Sequence, residues 1–186
     1  SDEQGWRDLR AALTGPDKLA PIWRATHAAL PTSQIRADTY GIRTRIDVGG
    51  ATVRFEIVRE ARIDIDAPES DDVVCGVAAL TRHDMIATKL MANVDRWADD
   101  GAFSRDLIDL AMMQPAGARL ERGLDKARAA CGDAVRRSLA SAVGSLRGRP
   151  GRLDRCMQAM KMRLPKAVLW DRIRKLERVV ARRASA

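Results

Sequence analysis

The stretch that decides the fold comprises residues 84–110 and reads DMIATKLMANVDRWADDGAFSRDLIDL. Apolar residues recur in it at spacings of three and four, which predicts a helix with one buried stripe; they are Ile86, Leu90, Val94 and Trp97. Asp99-Asp100-Gly101 closes this helix, and Ser104 is a candidate N-cap for the next one. The stretch therefore predicts two consecutive helices.

The same stretch carries more charge than a solvated helix surface needs. Lys89, Asn93 and Arg96 share one face of the first helix, because they are spaced by three and four residues. Asp106 and Asp109 share a face of the second helix for the same reason. A lysine, an arginine and two carboxylates are then expected to converge at the mouth of the helical pair.

These residues resemble the signature of the AbiEii/AbiGii nucleotidyltransferase toxins of type IV toxin–antitoxin systems. The signature has the form D-x4-K-L-x-A-x3-R followed by R-D-L-x-D-L. It is carried here by Asp84, Lys89, Leu90, Ala92 and Arg96, and then by Arg105, Asp106, Leu107, Asp109 and Leu110. The segment 40–66, YGIRTRIDVGGATVRFEIVREARIDID, resembles the antiparallel strands of that family. The resemblance covers roughly residues 1–112.

The resemblance implies an activity and a set of partners. It implies transfer of nucleotides from a nucleotide triphosphate to an RNA such as tRNA, with Mg²⁺ as the cofactor. It also implies a cognate antitoxin protein as the partner that neutralises the toxin. No membrane partner is expected, because no apolar run approaches the roughly 20 residues of a transmembrane helix.

The resemblance also assigns roles to four charged residues of the signature. Lys89 and Arg96 are the candidate phosphate ligands. Lys89 offers a compact ammonium charge on a long side chain, and the guanidinium of Arg96 can donate two hydrogen bonds to one phosphate. Lys89, Asp109 and Asp106 are the candidate catalytic residues. The alternative is that these charges only form ion pairs. Arg96 would then pair with Asp95 or Asp100, Asp109 with Arg105, and Lys89 with Asp106 or Asp109. Asp84 likewise has a structural explanation, because Thr81 is a predicted N-cap three residues before it.

A further carboxylate is expected on a strand. Glu56 alternates with Phe55 and so points to the opposite face of the strand predicted for residues 51–66. The family carries a third carboxylate on a strand of this kind, so Glu56 is the candidate metal ligand and a candidate catalytic residue. The alternative is an ordinary exposed strand glutamate.

The sequence departs from the family pattern at the first motif. The family begins that motif with a Gly-Ser or Gly-Gly turn and places two metal-binding carboxylates about a dozen residues later. Residues 1–10, SDEQGWRDLR, resemble the segment that comes after those carboxylates in the family. The catalytic beginning is therefore expected to be missing, and the metal site and the activity of these 186 residues alone are expected to be incomplete.

A second pair of glycines imitates the missing motif. Gly49-Gly50 precedes Asp64 and Asp66. The residues between them, however, are β-branched and alternate, and two glycines between such runs are typical of a hairpin. The hairpin interpretation places Asp64 and Asp66 in solvent at the end of a strand.

The predicted fold class is α+β. A small, mainly antiparallel sheet of strands 35–48 and 51–66 with flanking helices makes a nucleotidyltransferase-like but incomplete part, residues 1–116. A basic C-terminal helical bundle, residues 117–186, follows the boundary Gln114-Pro115-Ala116-Gly117. Its helices are predicted near 117–131, 133–146, 153–162 and 166–183.

Charge separates the two halves of the chain. Residues 1–118 contain 14 basic and 19 acidic residues, and residues 119–186 contain 19 basic and 6 acidic ones. The resulting net charges of −5 and +13 predict a polyanion partner for the second half. A solvated helical surface is the alternative, since stacking aromatics are nearly absent there.

Three functions stay open from the sequence. The first is a nucleotidyltransferase toxin, and the second is a catalytically incomplete remnant that binds RNA or a protein partner through its basic helices. The third is a helical DNA-binding regulator, although no helix-turn-helix with recognition residues is evident. Three scattered cysteines and two isolated histidines predict neither a disulfide framework nor a zinc site, which favours a cytoplasmic location.

Overall fold

The computed structural model describes residues 3–16, 22, 34–48 and 50–182. Within them, helices dominate and the strands form small antiparallel sheets, which confirms the predicted α+β class. The chain divides into two compact units, Ser1–Ala61 and Arg62–Ala186. The predicted boundary at residues 116/117 falls inside the second unit and, as a division of function, stays a prediction. A helix expected near residues 18–29, with Asp17 as its cap, lies outside the described residues.

The first unit places one helix against one face of a three-stranded antiparallel sheet. The elements are α1 Glu3–Thr14, β1 Arg36–Ala37, β2 Gly41–Val48 and β3 Ala51–Val58. Inward-facing apolar residues alternate along β2, so one face of the sheet is buried against α1. The buried core of this unit consists of Trp6, Leu13, Ile42 and Ile46.

The hairpin prediction is confirmed. Val48 pairs with Ala51 across the turn, and Gly50 adopts a φ of 81°, which a residue with a side chain rarely tolerates. Because the residues after the glycines form strand β3, they cannot open a phosphate-binding helix. The strand bounds were partly wrong: β3 ends at Val58 rather than at residue 66.

The first predicted strand is also shorter than expected. The Asp38 carboxylate accepts hydrogen bonds from the backbone N–H groups of Tyr40 and Gly41, at 2.8 and 2.9 Å. This side-chain turn breaks the run into two strands that pair antiparallel, with Arg36 opposite Arg43. An alternation count alone does not reveal such a turn.

The second unit is mainly helical. In the described residues it contains a short hairpin, β4 Val73–Val74 and β5 Val77–Ala78, and a 3₁₀ turn at Asp100–Ala102. Its α-helices are α2 Arg82–Arg96, α3 Arg105–Met113, α4 Gly117–Cys131, α5 Ala134–Gly148, α6 Arg152–Ala159 and α7 Lys166–Arg182. All six contribute to one apolar core. The inward face predicted for the last helix is confirmed, since it buries Leu169, Ile173, Leu176 and Val180.

A glycine sets the distance between α2 and α4. A Cβ atom at Gly123 of α4 would lie 2.7 Å from Cγ2 of Ile86 and 2.9 Å from the carbonyl oxygen of His83, both on α2. No side chain fits at these distances, so only glycine allows the two helices to approach this closely. The contact brings α4 side chains to the N-terminal end of α2.

Two local predictions about the signature helices were wrong. Ser104 makes no side-chain cap for α3; it has a φ of 51°, as does its neighbour Phe103 with 52°. Asn93, expected on the charged face of α2, is buried and donates to Ser138 Oγ at 3.1 Å. Both residues turn inward because α5 and α6 cover them, and no spacing within residues 84–110 contains that information.

None of the helices in the described part of the chain combines the length and apolarity that a membrane span requires.

Candidate functional site

The signature residues meet between α2 and α3, as the sequence predicted. Lys89 Nζ lies 2.5 Å from Asp109 Oδ2 and 3.4 Å from Asp106 Oδ1. Arg96 donates two hydrogen bonds to Asp106, from Nε to Oδ2 at 2.6 Å and from Nη2 to Oδ1 at 2.9 Å. We call these four residues, Lys89, Arg96, Asp106 and Asp109, the Lys89 cluster.

The four members of the Lys89 cluster differ in their exposure to solvent. The side chain of Asp106 is 3% exposed, whereas those of Lys89 and Asp109 are 32% and 30% exposed. Asp106 is therefore the anchor that holds Arg96 and Lys89 in place. Lys89 and Asp109, together with Arg96, whose side chain is 47% exposed, form the part of the cluster that a solute can reach.

Electrostatics keep the anchor ionised. Burial by itself would raise the pKa of Asp106, but the hydrogen bonds and charge of Arg96, together with the charge of Lys89, hold that pKa below its usual range. The same contact raises the pKa of Arg96 above its ordinary value, against the effect of burial. Asp106 is therefore a permanent anion in the folded protein at neutral pH.

A second charged cluster surrounds the N-terminal end of α2. The Asp84 carboxylate is fully buried; it accepts from Lys126 Nζ at 2.5 Å, from Thr81 Oγ1 at 2.8 Å and from the backbone N–H of Asp66 at 2.9 Å. Asp66 in turn contacts the ring of His83 at 2.5 Å. We call this group, completed by Arg122, the Asp84 cluster; its members are Asp66, Thr81, His83, Asp84, Arg122 and Lys126.

The prediction that Asp66 is solvated was wrong. His83 and Lys126, with the charge of Arg122 nearby, lower the pKa of Asp66 to about 2. Burial would raise the pKa of Asp84, but Lys126, Thr81 and the Asp66 backbone reverse the shift and lower it. Sequence reasoning did not find this cluster, although the Thr81–Asp84 capping arrangement within it was predicted and is confirmed.

The resemblance implies a divalent metal, and the described residues contain one group of potential ligands for it. Ligand atoms of Asp66, His83 and Asp84 lie within 4.8 Å of one another. Lys126 Nζ already contacts both carboxylates, at 2.5 and 3.1 Å, and Arg122 Nη2 contacts Asp66 at 2.7 Å. Since Mg²⁺ needs carboxylate oxygens free of competing cations, this group does not fit a resident ion.

Glu56 lies in the first unit, on the sheet face opposite the buried one. Its carboxylate accepts from Arg54 Nη2 at 2.6 Å and lies 3.4 Å from Arg43 Nε. The predicted side of the strand is confirmed, because Phe55 packs against the core. A role for Glu56 in metal binding stays a prediction, and two arginines compete for the same oxygens.

Comparison with known proteins identifies the family. A family model described as the nucleotidyl transferase AbiEii toxin of type IV toxin–antitoxin systems matches residues 10–179. No curated protein and no solved structure matched the chain. The family match continues well past residue 112, where the resemblance read from the signature ended, and takes in helices α4 to α6 and most of α7. The chain therefore belongs to the AbiEii family of nucleotidyl transferase toxins of type IV toxin–antitoxin systems.

Proposed function

We propose that this chain transfers nucleotides from a nucleotide triphosphate to an RNA, such as a tRNA, and that a cognate antitoxin neutralises it. The observation that carries the proposal is the difference in burial within the Lys89 cluster. Asp106 is buried and ionised, while the ammonium of Lys89 and the carboxylate of Asp109 are held together at 2.5 Å and remain accessible. An accessible cation beside an accessible carboxylate suits phosphoryl chemistry.

In the proposed reaction, Lys89 binds and neutralises the triphosphate. Asp109 accepts the proton of the attacking RNA hydroxyl, whose oxygen then forms a bond to the α-phosphorus. The bond from that phosphorus to its bridging oxygen breaks, and pyrophosphate leaves. Arg96 is assigned a positioning role, because both of its hydrogen bonds to Asp106 are already formed. The Arg96 side chain is 47% exposed and has N–H donors beyond these two hydrogen bonds, so the phosphate contact predicted for it stays a prediction beside the positioning role.

The divalent metal expected for the family would neutralise phosphate charge and align the reacting oxygens. The proposed reaction assigns no step to this metal, because each candidate carboxylate in the described residues contacts a cation of the protein. These contacts also favour weak nucleotide transfer by this chain.

RNA binding is proposed for the basic helices of the second unit. On α7, Lys175 and Arg178 are exposed on the side away from the buried face, and Arg172 is half-buried beside Met112. The side chain of Arg182, also predicted on this stripe, lies outside the described residues. The net charge of +13 over residues 119–186 supports a polyanion as the occupant.

A pair of variants tests the catalytic proposal. Lys89→Ala is expected to lower the affinity for a fluorescent ATP analogue and to lower incorporation of labelled nucleotide into tRNA by about 100-fold or more. Asp109→Ala is expected to lower incorporation similarly without weakening the binding of the analogue. Arg62→Ala is the matched control, since it removes a comparably exposed ion pair to Asp95 of the same helix, at 3.0 Å.

Melting temperatures distinguish a catalytic role from a structural one. Lys89→Ala and Asp109→Ala should melt close to the parent, because Arg96 still satisfies Asp106. Full incorporation with lowered melting temperatures in both variants would reduce the signature to a helix-pairing motif.

The incomplete remnant is the second candidate, favoured by the competing cations around every candidate carboxylate in the described residues. A remnant would bind no triphosphate but would bind RNA in a salt-dependent way. An RNA affinity unchanged by salt would contradict the role proposed for the basic helices in either case.

A further inference from the structure

The short hairpin β4–β5 of the second unit carries exposed apolar side chains. Val73, Val74, Val77 and Leu80 are between 36% and 66% exposed. The three valines do not belong to the apolar core that the six helices of this unit form. Exposed apolar residues are ordinary when they are scattered, but four of them within residues 73–80 form a patch of the kind that marks an interaction surface.

The register of the hairpin places two of the valines on one face. Val74 lies opposite Val77, and the backbone N–H of Ala79 donates to the carbonyl oxygen of Asp72 at 2.7 Å. Because side chains alternate between the two faces of a strand, these four residues share a face. Asp72, Val74 and Ala79 line one side of a groove of about 540 Å³. The apolar face is therefore open to an occupant.

The hairpin has little local support. Its turn residues, Cys75 and Gly76, have φ values of 51° and 77°, a conformation that suits glycine but that cysteine rarely adopts. In the described part of the chain, β4 and β5 form a sheet of two strands, and such a hairpin is only marginally stable by itself in water. An open apolar face and unpaired strand edges are the features that a second protein surface covers.

The charges around the groove come from two separate segments. The arginines belong to α2 and α4 and are Arg82, Arg119 and Arg122; the carboxylates precede β4 and are Glu69, Asp71 and Asp72. A partner with charges of one sign, such as RNA or an acidic protein segment, would be attracted by one set and repelled by the other. The groove instead fits a partner that carries both signs on separate segments.

A second copy of the chain is such a partner. In a two-fold symmetric dimer the same patch meets itself, so that a contact between two different residues is made twice. Asp71 and Arg119 suit this contact, because both are exposed and neither makes an ion pair in the described part of the chain. Arg82 and Arg122 already donate to the carbonyl oxygen of Met113 and to Asp66.

We propose that the β4–β5 hairpin is a self-association surface. Two copies pack their Val74 and Val77 faces together, and Asp71 of each copy lies against Arg119 of the other. An apolar centre with a charged rim is the usual composition of a protein interface. The surface is small, so the dimer is expected to be weak and reversible, with a Kd of about 10–100 µM.

The experiment is sedimentation velocity of the whole chain over concentrations that span this Kd. A reducing agent is present throughout, because the exposed Cys75 could otherwise crosslink two copies. The parent should shift from monomer to dimer as concentration rises. Val74→Thr/Val77→Thr should weaken association at least tenfold, because it keeps the branched shape but places hydroxyl groups in the apolar centre.

The matched control is Val48→Thr/Val58→Thr, which makes the same change at two exposed strand valines of the first unit. It should alter the Kd less than threefold. Equal losses in the two double variants would overturn the proposal in favour of non-specific apolar association. A parent that stays monomeric at every concentration would also overturn it and would leave the patch to a different macromolecule.

Charge reversal tests the symmetry of the contact. Asp71→Arg and Arg119→Asp should each weaken self-association at least tenfold, since each places like charges together twice in a two-fold dimer. An equimolar mixture of the two variants should associate within threefold of the parent, because every contact in the mixed dimer again joins opposite charges. A local defect in the hairpin would not be repaired by mixing, so a mixture as weak as its components would overturn the proposal.

The inference goes beyond the proposed function and does not depend on it. The measurement reports molecular mass and not nucleotide transfer, and the substituted residues lie outside the Lys89 cluster. Loss of transfer in Lys89→Ala with an unchanged Kd would leave both proposals standing. A monomeric parent that transfers nucleotides would overturn the dimer alone.

Discussion

Helix α2 contacts one charged cluster at its N-terminal end and another along its length, and the two clusters are built differently. The Asp84 cluster buries its central carboxylate completely and satisfies it with a lysine, a hydroxyl and a backbone N–H. The Lys89 cluster buries Asp106 but leaves Lys89 and Asp109 accessible. In the Asp84 cluster, the oxygens of Asp84 are already engaged and cannot accept from a solute. In the Lys89 cluster, the buried Asp106 holds a solvent-accessible ion pair in place.

This difference shows that deeper burial does not by itself make a charged cluster the better candidate for a catalytic site. The groups of the Asp84 cluster join α2 and α4 to the segment around Asp66, which is a structural role. The Lys89 cluster keeps an ion pair in which each partner can exchange the other for a ligand at modest cost.

The largest expected effect comes from removing the buried carboxylate. Asp84→Ala should lower the free energy of unfolding by about 3–5 kcal/mol, since it removes the acceptor shared by Thr81, the Asp66 backbone N–H and Lys126, each of which loses a hydrogen bond. Asp109→Ala should cost about 0–1 kcal/mol, because Lys89 can turn to water. Urea unfolding at pH 7 measures the free energy of unfolding of both variants. Equal losses in the two would contradict the distinction between the clusters.

A smaller effect is expected from the glycine that lets α4 approach α2. Gly123→Ala should cost about 1–3 kcal/mol, because its Cβ would overlap Ile86 and a backbone carbonyl of α2. Gly144→Ala on α5 is the matched control: its Cβ would meet nothing within 4 Å, so helix propensity should stabilise the protein by about 0.5–1 kcal/mol. Stabilisation by both substitutions would show that α2 and α4 are not held this closely.

The smallest effect is a dependence of stability on acid. The pKa values of Asp66, Asp84 and Asp106 are lowered in the folded protein, so the unfolded state binds protons first as pH falls. Stability contributed by these groups is complete above their unfolded pKa of 3.8. For Asp66 it is lost as pH falls towards about 2. The free energy of unfolding should therefore decrease below about pH 4.

Asp66→Asn provides the control for the acid experiment. This variant should be less stable than the parent at pH 7 and should show a shallower decrease between about pH 4 and pH 3. A parent protein whose free energy of unfolding stays constant over that interval would contradict the lowered pKa values.

Much of the Lys89 cluster was predictable because its spacing is local. Positions three and four apart in a helix share a face whatever the rest of the chain does, so Lys89 with Arg96 and Asp106 with Asp109 could be paired from the sequence. The partners were only partly predictable: the alternative that paired Lys89 with Asp106 or Asp109 is observed, whereas Arg96 was expected to pair with Asp95 or Asp100 and instead binds Asp106. Those choices depend on how α3 folds back on α2.

The Asp84 cluster and the sheet of the first unit show what lies beyond local spacing. Asp66, Asp84 and Lys126 are separated by 18 and 42 residues, and they meet only because Gly123 permits close helix packing. In the sheet, alternation predicted which side of β3 carries Glu56. The register that sets Arg45 opposite Arg54 follows from the hairpin at Gly50, and the turn at Asp38 that brings in Arg36 was not foreseen.

The sequence by itself determined the α+β class, the hairpin, the buried faces of the helices and the four residues of the Lys89 cluster. These follow from periodicity and turn chemistry, which act over a few residues. Only the tertiary structure decided which charges are buried, which ion pairs form and which of them a ligand can reach. Those properties depend on solvent exclusion and on distances between segments far apart in the chain, and no local pattern encodes them.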